Sequence, residues 1–542
     1  PVAGVTIIQS GDGPRRTETI TDGKGRFELA GYQNESGYVF AEKRGFRFHG
    51  QAVKGDDKGV RIVLARTSEP AERRLATLPE ADPKGDDELA MRVLAPALDG
   101  LAKEEVERER RLVLRDLAVI DPAMALDRLE ALGVKGDTAD MIRVKAAQTW
   151  SAEHSDDAMA IIEALDDAYS RAAAYFLAAE AMPAALRDRK IEWLAKARLH
   201  LRGADDPTMR TALTAVIARM LDESGEKEEA IKLVAEIRPA VEEMPLDGVS
   251  AYVRGVMAEA LASSDLPAAL ALIRDVRDDG EFDRHHGNIA RLIAAARPAD
   301  ALRVLRLARD DFQRDQHAVY VAYLAAPVDP GRAREAVELI ANPGLKALAE
   351  GWMAEGLGKS DAKAAAGQLD RAYDALAKLA EGESQPMFGY HSAPVLAARF
   401  LPIVETIQPD RLEEYLWRSL ALRLPLAKQG ERVEPTIATR VYVAMFLARY
   451  DRDLARELLA DSLAETGRGP TEYSLMVEGW YATAAVIDAG SAVAQYEKLA
   501  DDLPSKSQVR SALVGILSKH GEERWRAASE YLRMPMPWQK IQ

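Results

Sequence analysis

Along most of this chain apolar residues fall three and four positions apart, the period of a helix with one buried face. The stretches 139–150 and 170–181 are two such segments. Between them lies a shorter phrase that recurs: an aspartate or polar turn, an alanine followed by an apolar residue, then another apolar residue three positions on. It occurs at Asp121–Leu129, Asp156–Ile162, Gly225–Val234, Asp265–Ile273, Pro298–Leu305 and Pro330–Ile340. Its alanines are Ala125, Ala158, Ala230, Ala269, Ala301 and Ala336, spaced 33, 72, 39, 32 and 35 residues apart, and 72 is about two periods. A period near 35 predicts stacked helix pairs, each pairing one phrase with one longer segment. The alanine admits a neighbouring helix closely, and the following leucine or isoleucine fills the layer. The preceding aspartate accepts from free N–H groups at the helix start. Asp121-Pro122 and Asp329-Pro330 add proline in the first turn, where its missing N–H costs nothing.

The first 66 residues follow a different rhythm. Apolar and polar residues alternate from Val5 to Ile7, over 26–29, 38–41 and 46–48, and from Val60 to Leu64. Gly11-Asp12-Gly13 and Asp22-Gly23-Lys24-Gly25 supply tight-turn chemistry between them. This predicts a small antiparallel β-sandwich. Residues 67–88 hold three prolines and many charges, and read as a linker. Helical repeats then fill 89–383. Over 384–542 the phrase weakens, aromatics become denser, and copies resume only in part near Asp451 and Ala492. That region is expected to be a divergent continuation with a capping role. The predicted fold class is mainly α: an α/α helical-repeat solenoid with a small N-terminal antiparallel β-sandwich.

Two family resemblances follow from these residues. Pro1-Val2-Ala3-Gly4-Val5-Thr6-Ile7, then Thr21-Asp22-Gly23-Lys24-Gly25-Arg26-Phe27-Glu28-Leu29, then Gly37-Tyr38-Val39-Phe40-Ala41 and Arg44-Gly45-Phe46 stand in a familiar order. It resembles the carboxypeptidase regulatory-like domain, a transthyretin-like β-sandwich. The resemblance implies an accessory module, often extracytoplasmic, with no catalytic residues. It also implies an opening strand before the first proline, so the chain reads as a piece of something longer. The helical part resembles tetratricopeptide-like solenoids, without their Trp, Leu-Gly and Tyr signature.

Composition narrows the function classes. The chain has 542 residues, 47% of them hydrophobic and 6% aromatic, enough for a large core of closely packed helices. Its formal net charge of −15 repels phosphate backbones, which argues against nucleic acid as a partner. Arg108, Arg110, Arg111 and Arg115 form the densest basic cluster, but Glu104, Glu105, Glu107 and Glu109 interleave with it, as on a solvated helix. The absence of cysteine excludes disulfides, zinc–thiolate sites and thiol catalysis. No apolar run is long enough for a membrane span, so no membrane insertion is expected. Placement in the periplasm or cell envelope is expected from the N-terminal resemblance, with the cytoplasm as the alternative.

The candidate chemistry is sparse. His285-His286, with Asp283 and Glu281 nearby, is the one pair of adjacent histidines. Neighbouring helical residues point about 100° apart, so the pair is expected at a surface or a cap, and no metal or other cofactor is expected. Gly356-Leu357-Gly358-Lys359-Ser360 resembles the end of a phosphate loop, but Met353 stands where the leading glycine belongs. A helix C-cap followed by an N-cap at Ser360 or Asp361 is the expectation. Acidic pairs such as Glu228-Glu229, Glu242-Glu243 and Glu413-Glu414 are expected on solvated faces.

The leading expectation is a non-enzymatic scaffold or binding protein with a protein or peptide partner. Its contact residues are placed at exposed aromatics of the late repeats: Tyr390, His391, Trp417, Tyr442 and Trp480. The alternatives are an accessory region of a larger envelope enzyme or sensor, and an α/α-toroid enzyme acting on polysaccharide, with a pair of carboxylates among tryptophans.

Overall fold

A computed structural model of the chain describes residues 1–10, 18–29, 36–44, 46, 49–54, 59–64, 66, 86–101, 107–244, 248–274, 276, 278–381, 393–422, 433–464, 477–499 and 506–531. Among them are twenty-six α-helices, packed in neighbouring pairs, and one four-stranded antiparallel sheet. The expected fold class is therefore the observed one. The chain divides into two compact units. One holds Pro1–Pro83, Asn342–Ala492 and Gly521–Met534; the other holds Lys84–Ala341, Val493–His520 and Pro535–Gln542.

In the first unit, β1 (Thr6–Ser10), β2 (Glu18–Ile20), β3 (Ser36–Glu42) and β4 (His49–Lys54) align in the order β2-β1-β3-β4. Of these, β2 and β4 had no counterpart in the alternation. The segments 26–29 and 60–64, expected as strands, are instead extended cover for the sheet. Phe27, Leu29, Val60, Ile62 and Leu64 pack on Val5, Ile7, Val39, Ala41 and Val53. The turn at 22–25 forms as its residues dictate. The Asp22 carboxylate accepts from the Lys24 and Arg26 amides, both at 2.8 Å, and Gly25 takes a φ of +69°. The other expected turn, at 11–13, and most of the expected linker fall outside the described residues.

The opposite face of the sheet carries Ile8 and Phe40, as strand alternation requires. Here Gly50, directly across from Phe40, leaves room for a large ring. The Trp417 indole of the helix Leu412–Ala421 lies on Gly50 and meets Phe40 edge-on at 6.4 Å and 62°. His49, next to Gly50 in β4, is half-buried. Its pKa is lowered by burial, with the Glu413 charge opposing.

In the second unit, long helices form one layer: Asp137–Trp150, Ala168–Ala181, Pro207–Glu223, Gly248–Leu261, Asp279–Ile293 and Asp311–Ala325, each packed on the next. The phrase helices lie between them in sequence and form the second layer. All six phrase alanines are fully buried. Asp121, Asp265 and Asp329 each accept from the amide three residues on, at 2.9–3.0 Å. Before Ala158, Ala230 and Ala301 the cap positions are His154, Glu226 and Arg297, with no side-chain bond. The small buried residue is thus the constant part of the phrase, and the aspartate is not.

The start of this layer is covered from the far end of the sequence. The helix Lys506–Leu517 packs on Asp87–Gly100 and Glu107–Ile120. Arg510 is buried between Glu109 at 2.5 Å and Asp116 at 3.4 Å, and the Ser511 hydroxyl donates to Asp116 at 2.7 Å. Arg92 makes two 2.6 Å bonds to Glu497. Glu109 is thereby taken out of the expected solvated stretch, because a charge buried on the incoming helix needs a partner.

Trp417→Ala removes the ring that fixes the sheet, at a cost of roughly 3–5 kcal/mol for an aromatic of this burial. Hydrogen exchange read by mass spectrometry should show β3 and β4 losing protection, with Asp279–Ile293 unchanged. Unchanged protection in β4 would show that the ring does not anchor the sheet.

Candidate functional site

Three of the five expected contact aromatics are in the core. Trp417, Tyr442 and Trp480 are 7%, 2% and 5% exposed. Trp417 is used by the sheet. Trp480 donates its indole N–H to the Leu459 carbonyl at 3.3 Å and meets Tyr481 edge-on. Tyr442 lies on the helix Val433–Leu447, which packs against Ala393–Arg399, Arg452–Ala464 and Val477–Ile487. Here rings fill the space between helices. The expectation of surface exposure is corrected for these three; Tyr390 and His391 lie outside the described residues.

A buried polar cluster lies in the second unit, on three successive long helices. Glu259 is buried, and its Oε1 faces His285 Nδ1 at 2.6 Å and accepts from the Asn288 amide at 2.8 Å. Arg219 approaches its other oxygen at 3.3 Å. Burial alone would raise the Glu259 pKa. The hydrogen bonds from His285 and Asn288 and the charges of His285 and Arg219 outweigh it, and the pKa is lowered. The second ring nitrogen of His285 faces Glu281 at 3.1 Å, and Glu281 also pairs with Arg284. Arg284 lies over the Tyr252 ring, 5.3 Å from its centre. Glu223, beside Arg219, has its pKa raised by burial and by Glu259 despite the arginine.

This arrangement corrects the expected place of the histidine pair. His285 and His286 are both buried, 1% and 3% exposed. His286 Nδ1 faces the Phe282 carbonyl at 2.8 Å. Asp283 instead holds the turn that leads into the next long helix, accepting from the amides of Arg309 at 2.7 Å and Asp310 at 2.8 Å. Glu281 and His285 therefore pair with each other, while Asp283 and His286 turn to backbone partners elsewhere. Among the described residues, no three His, Cys, Asp or Glu converge as a metal ion would need.

A second period runs through these residues. Asp283 and Asp315 are 32 apart, and Asp315 likewise accepts from a following amide, that of Ala341 at 2.9 Å. His285 and His317 are 32 apart, as are Gly255 and Gly287. A Cβ on Gly255 would overlap the His285 ring, and one on Gly287 the His317 ring. The paired glycine and ring, spaced by the repeat, is a sequence signal separate from the alanine phrase.

The first unit repeats a different device. The hydroxyl of Tyr415 donates to Asp370, and that of Tyr450 donates to Glu405. The two tyrosines and the two acids are each 35 residues apart. Arg411 reaches Asp370 at 3.0 Å and Arg449 reaches Glu405 at 3.2 Å. The repeat thus continues past 384 as hydrogen-bonded pairs. Glu414, expected on a solvated face, is buried and receives Arg411 at 2.9 Å. The glycine-rich 356–360 segment is a helix end as expected. Lys359 is the C-cap of Pro343–Gly358, and Asp361 accepts from the Ala364 amide of the next helix at 2.9 Å.

Gly287→Ala drives a methyl into the His317 ring, and overpacking of this kind costs about 1–3 kcal/mol. Glu259→Ala leaves His285 and Arg219 without their buried counter-charge, at a cost of about 3–5 kcal/mol. Urea denaturation followed by circular dichroism checks both. A Glu259→Ala chain as stable as the wild type would mean that the cluster carries no net buried charge.

Compared with protein-family models and with curated proteins, the chain matches none.

Proposed function

We propose that the chain is a non-enzymatic scaffold whose helical-repeat surface binds a protein or peptide partner. The observation that carries this reading is an apolar edge on the long-helix layer of the second unit. Met209, Val249, Tyr252 and Phe312 lie in the first turns of Pro207–Glu223, Gly248–Leu261 and Asp311–Ala325, and each is exposed, Val249 to 48% and Phe312 to 47%. The long helices run in the same direction through the repeat, so these turns share one edge. Single exposed apolar residues are ordinary; a row of them rimmed by polar groups favours a protein contact. Between Tyr252 and Phe312 the charged turn of Asp279–Ile293, with Glu281 and Arg284, divides the row into two apolar patches with a polar border. Stacked repeats also offer an extended surface suited to a chain-like partner.

The N-terminal sheet is proposed as an accessory module of the carboxypeptidase regulatory-like kind, with an extracytoplasmic setting. Its strand order and the Asp22 turn support that part. Tetratricopeptide-like repeats are the proposed relatives of the helical part, on the strength of the two-layer pairing. The polysaccharide-enzyme alternative needs tryptophans free to stack on sugars. Trp193, Trp352, Trp417, Trp480 and Trp525 are buried, which weighs against it.

Selection of peptides from a displayed library on the wild-type chain, followed by binding to V249D/F312D, tests the scaffold reading. Both positions are exposed, so the melting temperature should hold while affinity falls at least tenfold, about 1.4 kcal/mol. Selected peptides that bind the double variant as well as the wild type would overturn the proposed edge. Release of reducing sugar from polysaccharide by the wild type would overturn the non-enzymatic reading.

A further inference from the structure

The 32-residue period reaches one side chain whose partners do not follow it. Glu355 stands 96 residues, three such periods, after Glu259. Glu259 is met by a histidine, an asparagine and an arginine. Glu355 lies on Pro343–Gly358 with its Oε2 buried, and no hydrogen-bond donor among the described residues reaches that oxygen. An orphaned buried oxygen of this kind calls for a physical explanation.

The charged groups around it are engaged elsewhere. The helix packs against Ala362–Glu381, Ala393–Arg399 and Leu401–Ile407. On its own helix, Glu350 accepts from Gln368, and Lys346 is more than two turns away. On the first neighbour, Arg371 donates to Gln368 and Asp370 receives Arg411 and Tyr415. Lys363, Asp374 and Lys378 are exposed. On the other two, Arg399 is buried with contacts of its own, and Glu405 receives Arg449 and Tyr450. Lys359, one turn further along the same helix, is the charge whose field reaches Glu355.

We infer that Glu355 is a proton-operated latch on the helix pair Pro343–Gly358 and Ala362–Glu381: protonated, it leaves the pair tightly packed, and ionised, it loosens it. A neutral carboxyl needs one acceptor or none at its buried side. An ionised one needs donors that the neighbouring helices do not offer, and water must be admitted to supply them. Burial pushes this carboxyl up to about 7, with Lys359 opposing. The folded form thus holds the proton more tightly than the unfolded chain, whose carboxyl titrates near 4.5. The stabilisation from the proton is complete below that value and is lost as pH rises through 7. The latch therefore works between about 4.5 and 7, where ordinary carboxylates are already largely ionised.

Hydrogen exchange of the full chain, corrected for the intrinsic pH dependence of exchange, tests this in wild type and Glu355→Gln. Glutamine imitates the protonated carboxyl at every pH. The ratio of wild-type to variant opening in 343–381 should rise by up to about tenfold per pH unit between pH 5 and 7, then level off. A ratio independent of pH would overturn the latch. The carboxyl carbon of Glu355, followed by NMR, should titrate near 7, and a midpoint between 4 and 5 would also overturn it. Lys359→Met provides a second check, because removing the opposing charge should move the midpoint upward; a midpoint that stays or falls counts against the latch.

Discussion

The structure depends on how closely one helix can approach the next. A helix axis comes near its neighbour only where the facing side chain is small, and the chain places such a residue once per repeat. Ala125, Ala158, Ala230, Ala269, Ala301 and Ala336 do this between phrase helices and long helices. Gly255 and Gly287 do it within the long layer, where a histidine ring takes the vacated space. Gly351 does it in the other unit, under Phe400. Interiors at this packing density do not absorb an extra methyl without displacement. The small residues therefore set the spacing of the layers, and the larger neighbours follow from that spacing.

The same constraint explains where the aromatics went. In the second unit alanine and leucine fill the layers, and few rings are needed. In the first unit the alanine phrase thins, and Trp417, Tyr442, Trp480 and Trp525 take up the volume. Several pin themselves by a polar atom: Trp480 to the Leu459 carbonyl, Trp525 to the Met445 carbonyl. A buried indole N–H has to find an acceptor, so these contacts are a condition of using the ring at all. Dense aromatics in a helical sequence are thus ambiguous between surface and core.

Periodicity made much of the fold legible. The helix pairs, the buried alanines, the Asp22 turn and the helix end at Lys359 follow from spacing and local chemistry. Three things did not. β2 is three residues long and too short to alternate visibly. The packing of Lys506–Leu517 on the first helices joins segments about 400 residues apart, and no local pattern reports so distant a pairing. The polar cluster around Glu259 drew on residues from three helices, and its links between helices, Glu259 to His285, Asn288 and Arg219, have no local spacing that a sequence displays. The second period, of glycine with histidine and of buried aspartates, was present in the sequence but carried by residues too few to stand out from the alanine pattern.

Stacked helix pairs that bury mainly alanine and leucine have a difficulty of their own: each layer fits its neighbour much as it would fit the next one along. Apolar packing is non-directional and cannot by itself forbid a slip by one repeat. Those buried polar pairs that do not recur with the period can. Tyr175 donates to Glu163 in one repeat and Arg219 meets Glu259 in another. A slipped stack would bring each of these groups against the wrong partner and leave it unsatisfied. Buried ion pairs add little net stability over apolar substitutes, but an unmatched one is severely unfavourable. Their value in this chain is to fix which helix lies beside which. That division of labour also bears on function. The apolar layers fix the spacing and the buried pairs fix the order, which leaves the exposed row from Met209 to Phe312 with neither task.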